Sequence, residues 1–188
     1  QYFEDFIPEV FRYEYPFADC GGYSGDTALG FCSFTHNKYK KIYFIEADPA
    51  TFEKGKEGTA ALRDIEYFKA AVTDCEKQLN FSADFNTGSK VTEEGLLLVE
   101  GKALDSIVKE DRAFIKMDIE GAEKEAILGA KRLIKNGSLL AVSAYHKAED
   151  IRELPETIMN INPDYDFYLR HYTDTVFETV LYAVPKSC

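Results

Sequence analysis

The fold is decided by one stretch of the chain, Phe17-Ala18-Asp19-Cys20-Gly21-Gly22-Tyr23-Ser24-Gly25-Asp26-Thr27. Apolar residues lead into an acid, a glycine-rich turn follows, and the pattern then becomes that of a helix. Because glycine has no Cβ, such a turn lets a ligand lie directly against backbone N–H groups. In open α/β sheets, nucleotide-like ligands bind at this carboxyl end of the first strand. A glycine turn also serves ordinary packing, so the turn alone leaves both interpretations open.

The composition predicts a globular protein and disfavours two classes of partner. The chain has 188 residues, enough for one domain with a sizeable core, and 45% of them are apolar. No apolar run reaches the roughly 20 residues that span a bilayer, and no signal peptide is visible. The net charge is −11, without any basic cluster. Nucleic acids and anionic membranes, which require a positive surface, are therefore poor partners.

The cysteines indicate a compartment rather than a metal centre. They lie at Cys20, Cys32, Cys75 and Cys188, without C-x-x-C spacing, and the chain has only three histidines. Structural zinc is therefore not expected. Scattered cysteines in a chain of this size are typical of reduced thiols, so we expect a cytoplasmic protein.

Alternating patterns predict the order of the elements. The strands are predicted at the glycine turn and over 42–46, 65–72, 114–119, 139–145, 165–171 and 178–184. The helices are predicted over 26–37, from 49 to about 63 with interruptions at Gly55 and Gly58, over 120–135, and over 149–161 with a restart at Pro155. Short antiparallel pieces form an insertion at about 78–104, and a helical turn follows at 105–108.

This order predicts the fold class. Alternating strands and helices imply a parallel sheet with helices on both faces. A final antiparallel pair departs from dehydrogenase-type sheets and indicates the class I methyltransferase fold. We therefore predict an α/β protein with a seven-stranded, mostly parallel, Rossmann-like sheet, a C-terminal antiparallel hairpin and a small β insertion. Residues 1–16 are an aromatic lead-in segment, and 17–188 form the domain.

Three acids fall at the carboxyl ends of predicted core strands: Asp19, Glu46 and Asp118. A carboxylate at the second of these ends accepts both hydroxyls of a ribose in dinucleotide folds. S-adenosylmethionine offers an amino acid, a sulfonium and an adenosine, and we expect Asp19 to face its ammonium group and Glu46 its ribose. The other expected cofactor-binding residues are Gly21, Gly22, Gly25, Asp26 and Thr27 in the turn, with Asp26 as N-cap, then Ala47 and Asp48 after the second strand, Ala71 and Val72 beside the adenine, and Asp118.

The spacing of the glycines favours S-adenosylmethionine over dinucleotides and nucleoside triphosphates. The turn lacks the G-x-G-x-x-G spacing of dinucleotide-binding folds and the G-x-x-x-x-G-K-[ST] spacing of a P-loop. The sequence therefore does not support a kinase or an ATPase. Two alternatives stay open: an NAD-type oxidoreductase on a Rossmann-like sheet, and a catalytically degenerate module for binding or assembly.

Three stretches together resemble the FkbM-type methyltransferases. They are Asp19 to Thr27, Phe44-Ile45-Glu46-Ala47-Asp48-Pro49 and Ile115-Lys116-Met117-Asp118-Ile119-Glu120-Gly121-Ala122-Glu123, and the last is the most specific. The resemblance covers about Phe17 to Val184; Ala47 stands where proline is common. It implies S-adenosylmethionine-dependent O-methylation of a hydroxyl on a sugar, glycan or secondary metabolite.

Methyl transfer to a hydroxyl requires an aligned oxygen and the loss of its proton. The candidate bases are Asp118 and His146, and the unperturbed pKa of a histidine suits work near neutrality. Lys116 orients the acceptor or pairs with Asp118 or Glu120, a structural ion pair being the favoured role. No ligand spacing supports a metal at Asp118 and its neighbouring acids, so no metal site is predicted.

Overall fold

The computed structural model of the protein describes residues 1–82, 90–91, 97–175 and 177–186. Its helices are α1 (Glu9–Tyr13), α2 (Asp26–Phe34), α3 (Pro49–Gly58), α4 (Leu104–Ile107), α5 (Glu123–Leu128), α6 (Lys131–Lys135) and α7 (Asp150–Ile161). Its strands are β1 (Phe17–Cys20), β2 (Ile42–Glu46), β3 (Ile65–Lys69), β4 (Ala71–Val72), β5 (Lys77–Ser82), β6 (Lys90–Val91), β7 (Leu97–Lys102), β8 (Phe114–Met117), β9 (Leu139–Ser143), β10 (Tyr165–His171) and β11 (Thr179–Pro185). None of the helices in these ranges combines the length and the hydrophobicity that a membrane span requires.

Seven strands form the main sheet in the order β10-β11-β9-β8-β1-β2-β3. Of these seven strands, β11 alone runs opposite to the other six, so the predicted mostly parallel sheet with a C-terminal antiparallel hairpin is confirmed. In the register, Asp19 of β1 lies between Phe44 of β2 and Lys116 of β8. The carboxyl ends of β2, β1, β8 and β9 therefore meet along one edge of the sheet.

Apolar residues alternate along the buried strands and build a core on each face of the sheet. On one face, Ala18, Tyr43 and Ile115 pack against the helices α4 to α7. On the other face, the ring of Phe17 stacks on Phe31 of α2 with centroids 4.3 Å apart. The aromatic residues of the lead-in segment, with α1, complete this second face. Each buried aromatic side chain contributes roughly 1.5–3 kcal/mol, so the lead-in is an integral part of the core.

The predicted third strand over 65–72 is divided between two sheets, which corrects that boundary. β3 ends at Lys69, and the N–H of Ala70 donates to the Glu46 carbonyl at 3.1 Å. The chain then changes partner: β4 pairs in parallel with β7 in a second sheet of order β4-β7-β5-β6. β5 pairs antiparallel with both β6 and β7, as expected for the insertion at 78–104. The parts of that prediction at 83–89 and 92–96 lie outside the described residues.

The single helix predicted over 120–135 is wrong, because two short helices occupy this stretch. Glu120 and Gly121 have φ values of 56° and 92°, so α5 begins only at Glu123. The second helix, α6, begins at Lys131 and is capped from a distance. The Asp105 carboxylate accepts the N–H groups of Arg132 at 2.7 Å and Leu133 at 3.1 Å. These bonds satisfy first-turn donors that a continuous helix would have used internally.

Three other helices differ from their predicted bounds. α7 is continuous through Pro155. Proline has no N–H to donate to the carbonyl of Ile151, but Ile151 is exposed to solvent and the rest of the helix is packed, so the helix does not end there. α3 is not interrupted at Gly55, whose missing Cβ makes room for the Phe44 ring. α2 ends at Phe34 rather than near 37, where His36 and Asn37 adopt positive φ values.

The distant cap of α6 can be tested by the variant Asp105→Ala. Two backbone N–H groups lose a charged acceptor, so we expect the free energy of unfolding to fall by about 2 kcal/mol. Urea titration followed by circular dichroism measures the change. The control Asp111→Ala removes an exposed carboxylate of the same type and should change the value by less than about 0.5 kcal/mol. Equal effects of the two variants would contradict the cap.

Candidate active site

The candidate active site lies along the carboxyl edge of the main sheet. The glycine turn follows β1, Glu46 ends β2, Asp118 follows β8, and His146 lies beyond β9. These four strands are neighbours in the sheet. The residues that the sequence placed at separate strand ends therefore lie side by side.

The glycine turn is shaped by close packing. The N–H groups of Gly21 and Gly22 both donate to the Ile45 carbonyl at 3.0 Å. This corrects the expectation that these two groups are open to a ligand. Gly21 has a φ of 76°, and a Cβ built on it would lie 1.9 Å from the Asp118 carbonyl oxygen. Only glycine allows the turn to pass so close to the end of β8, and this approach brings Asp118 next to the turn.

The first turn of α2 provides the donors that the glycines do not. Gly25, with a φ of 88°, is the N-cap, and Asp26 is the first helical residue, so the assignment of Asp26 as N-cap is wrong. Asp26 is exposed and accepts a hydrogen bond from Ser24 Oγ at 3.2 Å, and Thr27 is half-buried. The first N–H groups of a helix have no partner within it, so this end of α2 favours a negatively charged group.

Asp19 and Lys116 form a buried ion pair across β1 and β8. Lys116 Nζ lies 3.1 Å from Asp19 Oδ1 and donates to the Gly21 carbonyl at 2.7 Å. Asp19 is fully buried, which corrects the expectation that it faces a ligand's ammonium group. The structural ion pair expected for Lys116 is present, with Asp19 as partner instead of Asp118 or Glu120. Burial lowers the pKa of Lys116, but the carboxylates of Asp19 and Asp118 outweigh burial and leave the pKa raised.

Glu46 is placed to accept hydroxyl groups. Its Oε2 accepts the N–H of Tyr23 at 3.0 Å, and its Oε1 accepts the N–H of Asp48 at 2.8 Å. These bonds fix the carboxylate beside the glycine turn and leave lone pairs on both oxygens. Burial raises the pKa of Glu46, and the backbone donors oppose this shift. A fixed carboxylate with two open acceptor sites fits a ribose.

The other predicted cofactor residues beyond β2 have buried side chains or small ones. Asp48 Oδ1 accepts the N–H of Thr51 at 2.7 Å and caps α3. Ala47 and Ala71 belong to one small apolar cluster, and Val72 is buried in the main core. Cofactor binding by Asp48, Ala71 and Val72 therefore stays a prediction, and the backbone atoms of these residues are the ones that we expect to contact the cofactor.

Asp118 is the centre of the polar network at this edge. Its Oδ2 accepts the hydroxyl of Tyr2 at 2.9 Å, and its Oδ1 accepts the hydroxyl of Tyr145 at 3.2 Å. Tyr2 also lies 3.0 Å from Ser143 Oγ. Burial raises the pKa of both tyrosines, so their hydroxyls stay neutral donors. The Asp118 side chain is 29% exposed, so the carboxylate is held in place and still open to a ligand.

His146 lies among three carboxylates. Its Nδ1 is 3.0 Å from Glu123 Oε1, and its Nε2 is 3.5 Å from Asp118 Oδ1 and 3.8 Å from Glu120 Oε2. Burial lowers the pKa of His146, but these carboxylates outweigh burial and raise it above its ordinary value. A more basic imidazole is more often protonated at neutral pH, which weakens the case for His146 as the base. Asp118, Glu123 and His146 are also residue types that bind metals.

Some residues of this site were absent from the sequence prediction. Tyr2 is 116 positions from Asp118, and nothing in the aromatic lead-in marked it as a site residue. Tyr145 could have been found, because it directly precedes His146 at a predicted strand end. Glu123 belongs to the motif that carries the family resemblance, but only the fold shows that it is buried.

The sheet order and its C-terminal antiparallel pair are those of the class I methyltransferase fold. The family model of the methyltransferase FkbM domain matches residues 19–170. The chain therefore belongs to the FkbM methyltransferase family, and S-adenosylmethionine is the cofactor that this membership supports. No curated protein matches the chain.

Solved structures agree with this assignment. The methyltransferase FkbM from Methylobacillus flagellatus KT is 28% identical with a TM-score of 0.74, over 90% of this chain and 43% of that chain. This chain thus spans less than half of that protein. Two more distant structures share the fold. Fibrillarin from Aeropyrum pernix, with bound S-adenosylmethionine, is 13% identical with a TM-score of 0.54, over 92% of this chain and 67% of that one. SMU.1697c from Streptococcus mutans, in complex with S-adenosylhomocysteine, is 12% identical with a TM-score of 0.55, over 96% of this chain and 94% of that one.

The structural role of Lys116 can be tested by the variant Lys116→Met. Asp19 is then left as an unpaired buried carboxylate, so we expect the free energy of unfolding to fall by about 3 kcal/mol. The double variant Asp19→Asn/Lys116→Met removes both charges and should recover part of this loss. Denaturant titration measures both values. The control Lys41→Met breaks the exposed pair with Glu66 and should cost less than about 1 kcal/mol. A loss as small as that of the control would contradict the buried pair.

Proposed function

We propose that the protein is an S-adenosylmethionine-dependent O-methyltransferase that modifies a hydroxyl of a sugar, glycan or secondary metabolite. The observation that carries this proposal is the position of Asp118. Its carboxylate is partly exposed, it is held by two tyrosine hydroxyls, and it lies beside the glycine turn at the edge that also holds Glu46. A site for the cofactor and a proton acceptor thus adjoin each other.

The cofactor side of the proposed site consists of Glu46, the glycine turn and the first turn of α2. Glu46 accepts the ribose hydroxyls with the lone pairs that Tyr23 and Asp48 leave open. The first N–H groups of α2 attract the carboxylate of the amino-acid end. S-adenosylmethionine supplies, when bound, a methyl group that is already activated by its sulfonium.

The acceptor side requires a group that takes one proton, since a hydroxyl loses its proton when it is methylated. Asp118 is the proposed base, because its carboxylate is accessible and its orientation is fixed. Tyr2 and Tyr145 hold the two oxygens in place through O–H donors. His146, whose raised pKa keeps it more often protonated at neutral pH, is less often free to take a proton, and its positive charge stabilises the negative charge around Asp118.

The charge and the aromatic residues of the acceptor side favour an uncharged small molecule or glycan. The protein carries a net charge of −11, which disfavours nucleic-acid acceptors. Phe177 is 57% exposed and lies edge-on to Tyr145, with ring centroids 6.1 Å apart. Aromatic rings of this kind provide an apolar surface for a sugar or polyketide ring. Among the described residues Cys20, Cys32 and Cys75 are free, in keeping with the proposed cytoplasmic location.

Calorimetry with S-adenosylhomocysteine tests the cofactor side. We expect binding by the wild-type chain in the micromolar range, and a loss of about 10–100-fold in Glu46→Gln, because the amide has fewer acceptor sites for the ribose hydroxyls. The control Glu57→Gln changes an exposed acid on α3 and should bind as the wild type does. Binding of NAD in place of S-adenosylhomocysteine would support the oxidoreductase alternative and contradict the proposal.

The variant Asp118→Asn tests the acceptor side. Formation of S-adenosylhomocysteine is measured against a panel of hydroxylated sugars and phenols. With an acceptor that the wild type methylates, we expect kcat to fall by about 10²–10⁴-fold, because the proton acceptor is lost. The control Asp111→Asn should retain full activity. Cofactor binding without turnover of any acceptor would favour the non-enzymatic binding module.

A further inference from the structure

Three side chains from separate elements converge beyond β8 and β9. Asp118 follows β8, Glu123 begins α5, and His146 lies beyond β9. Each of them places one potential metal-ligand atom within 4.8 Å of the others. Glu123 and His146 are respectively 5 and 28 positions after Asp118, so this group exists only in the fold.

The polar atoms of this cluster are incompletely satisfied. Glu123 is 1% exposed, and its Oε2 has no hydrogen-bond partner in the part of the chain that the structure describes. The side chain of His146 is 10% exposed, and its Nδ1 is paired with the other oxygen, Glu123 Oε1, at 3.0 Å. Buried polar atoms are rarely left without partners in native proteins, so the open Oε2 of Glu123 indicates a ligand at the cluster.

The shorter of the two separations around His146 Nε2 fits two ligands of one cation. His146 Nε2 is 3.5 Å from Asp118 Oδ1 and 3.8 Å from Glu120 Oε2. Ligand atoms about 2.1 Å from a shared cation lie about 3.0–3.5 Å from each other. On the opposite side of the ring, Nδ1 lies 3.0 Å from Glu123 Oε1, which also accepts the N–H of Ile119 at 3.0 Å. Carboxylates orient metal-bound histidines through this second nitrogen.

The charge of the cluster also calls for a cation. Three carboxylates face a single imidazole, and no lysine or arginine of the described ranges forms an ion pair with Asp118 or Glu123. The nearby lysines are engaged elsewhere: Lys116 with Asp19, and Lys147 with the Gly121 carbonyl. A divalent cation would neutralise this excess of negative charge.

We propose that Asp118, Glu123 and His146 form a binding site for one divalent cation. Nε2 of His146 and the Asp118 carboxylate contact the cation, Glu120 faces the same position, and Glu123 holds the imidazole through Nδ1. One nitrogen and several carboxylate oxygens suit Mn²⁺ or Zn²⁺ better than Mg²⁺ or Ca²⁺, which prefer oxygen ligands alone.

A cation here would lie on the acceptor side of the proposed methyltransferase site. A hydroxyl oxygen bound to a divalent cation is more acidic, so it loses its proton to a carboxylate more readily. This consequence rests on the proposed function. The binding of the cation does not, because its ligands belong to the protein alone.

The experiment measures Mn²⁺ binding to the full chain, without cofactor or acceptor, by the electron paramagnetic resonance signal of free Mn²⁺. We expect one Mn²⁺ per chain and its displacement by Zn²⁺. The variants Asp118→Asn and His146→Gln should weaken binding more than about tenfold, and Glu123→Gln by about 10–100-fold. The matched control Glu125→Gln changes an exposed acid on the same helix and should bind as the wild type does. Circular dichroism verifies that each variant is folded.

Two results would overturn the cation site: no binding of Mn²⁺ or Zn²⁺ by the wild type, or equal binding by all folded variants. S-adenosylhomocysteine binding, measured by calorimetry on the same samples, separates this failure from failure of the proposed function. Cofactor binding by a wild-type chain that binds neither Mn²⁺ nor Zn²⁺ would contradict the cation site alone. Mn²⁺ binding without cofactor binding would support the cation site and contradict the proposed function.

Discussion

The buried ion pair between Lys116 and Asp19 is the interaction on which the carboxyl edge of the main sheet depends. The lysine amine lies in the protein interior, reaches from β8 to β1, and also donates to the Gly21 carbonyl. It therefore binds the end of one strand to the turn that follows its neighbour. Two charges removed from water stabilise a protein only when both are well paired, so this geometry tolerates little change. The close passage of Gly21 by the Asp118 carbonyl depends on the same alignment.

Negative charge dominates the part of the edge around His146. Asp118, Glu120 and Glu123 surround His146, while the nearest lysines are engaged with other groups. The tyrosine hydroxyls of Tyr2 and Tyr145 provide neutral donors to Asp118. Both the raised pKa of His146 and the proposed affinity for a divalent cation have this single cause. The lead-in segment contributes to the site as well as to the core, since Tyr2 reaches Asp118 from it.

Much of the fold could be predicted because it follows from local patterns. Buried strands read as short apolar runs, and their alternation with helical patterns implies a parallel sheet. The final pair of strands distinguished this sheet from that of a dehydrogenase. The errors fall where distant contacts override local propensity. Asp105 caps α6 from 26 positions before its first residue, and Thr73 crowds the backbone at Gly129, where the predicted helix is divided. The predicted third strand is likewise divided because β4 pairs with β7, a strand of the insertion, and the sequence alone does not reveal this pairing.

The sequence by itself determined the class of fold, the edge that carries the candidate site and the strand ends at Asp19, Glu46, Asp118 and His146, because these follow from the order of elements and the glycine turn. Only the tertiary structure decided what those side chains do. It buried Asp19 against Lys116, engaged the amides of Gly21 and Gly22 with Ile45, and placed Tyr2 and Glu123 beside the predicted residues. The physical reason is that burial, pairing and charge balance arise from neighbours far apart in the chain, and spacing along the sequence carries no record of those neighbours.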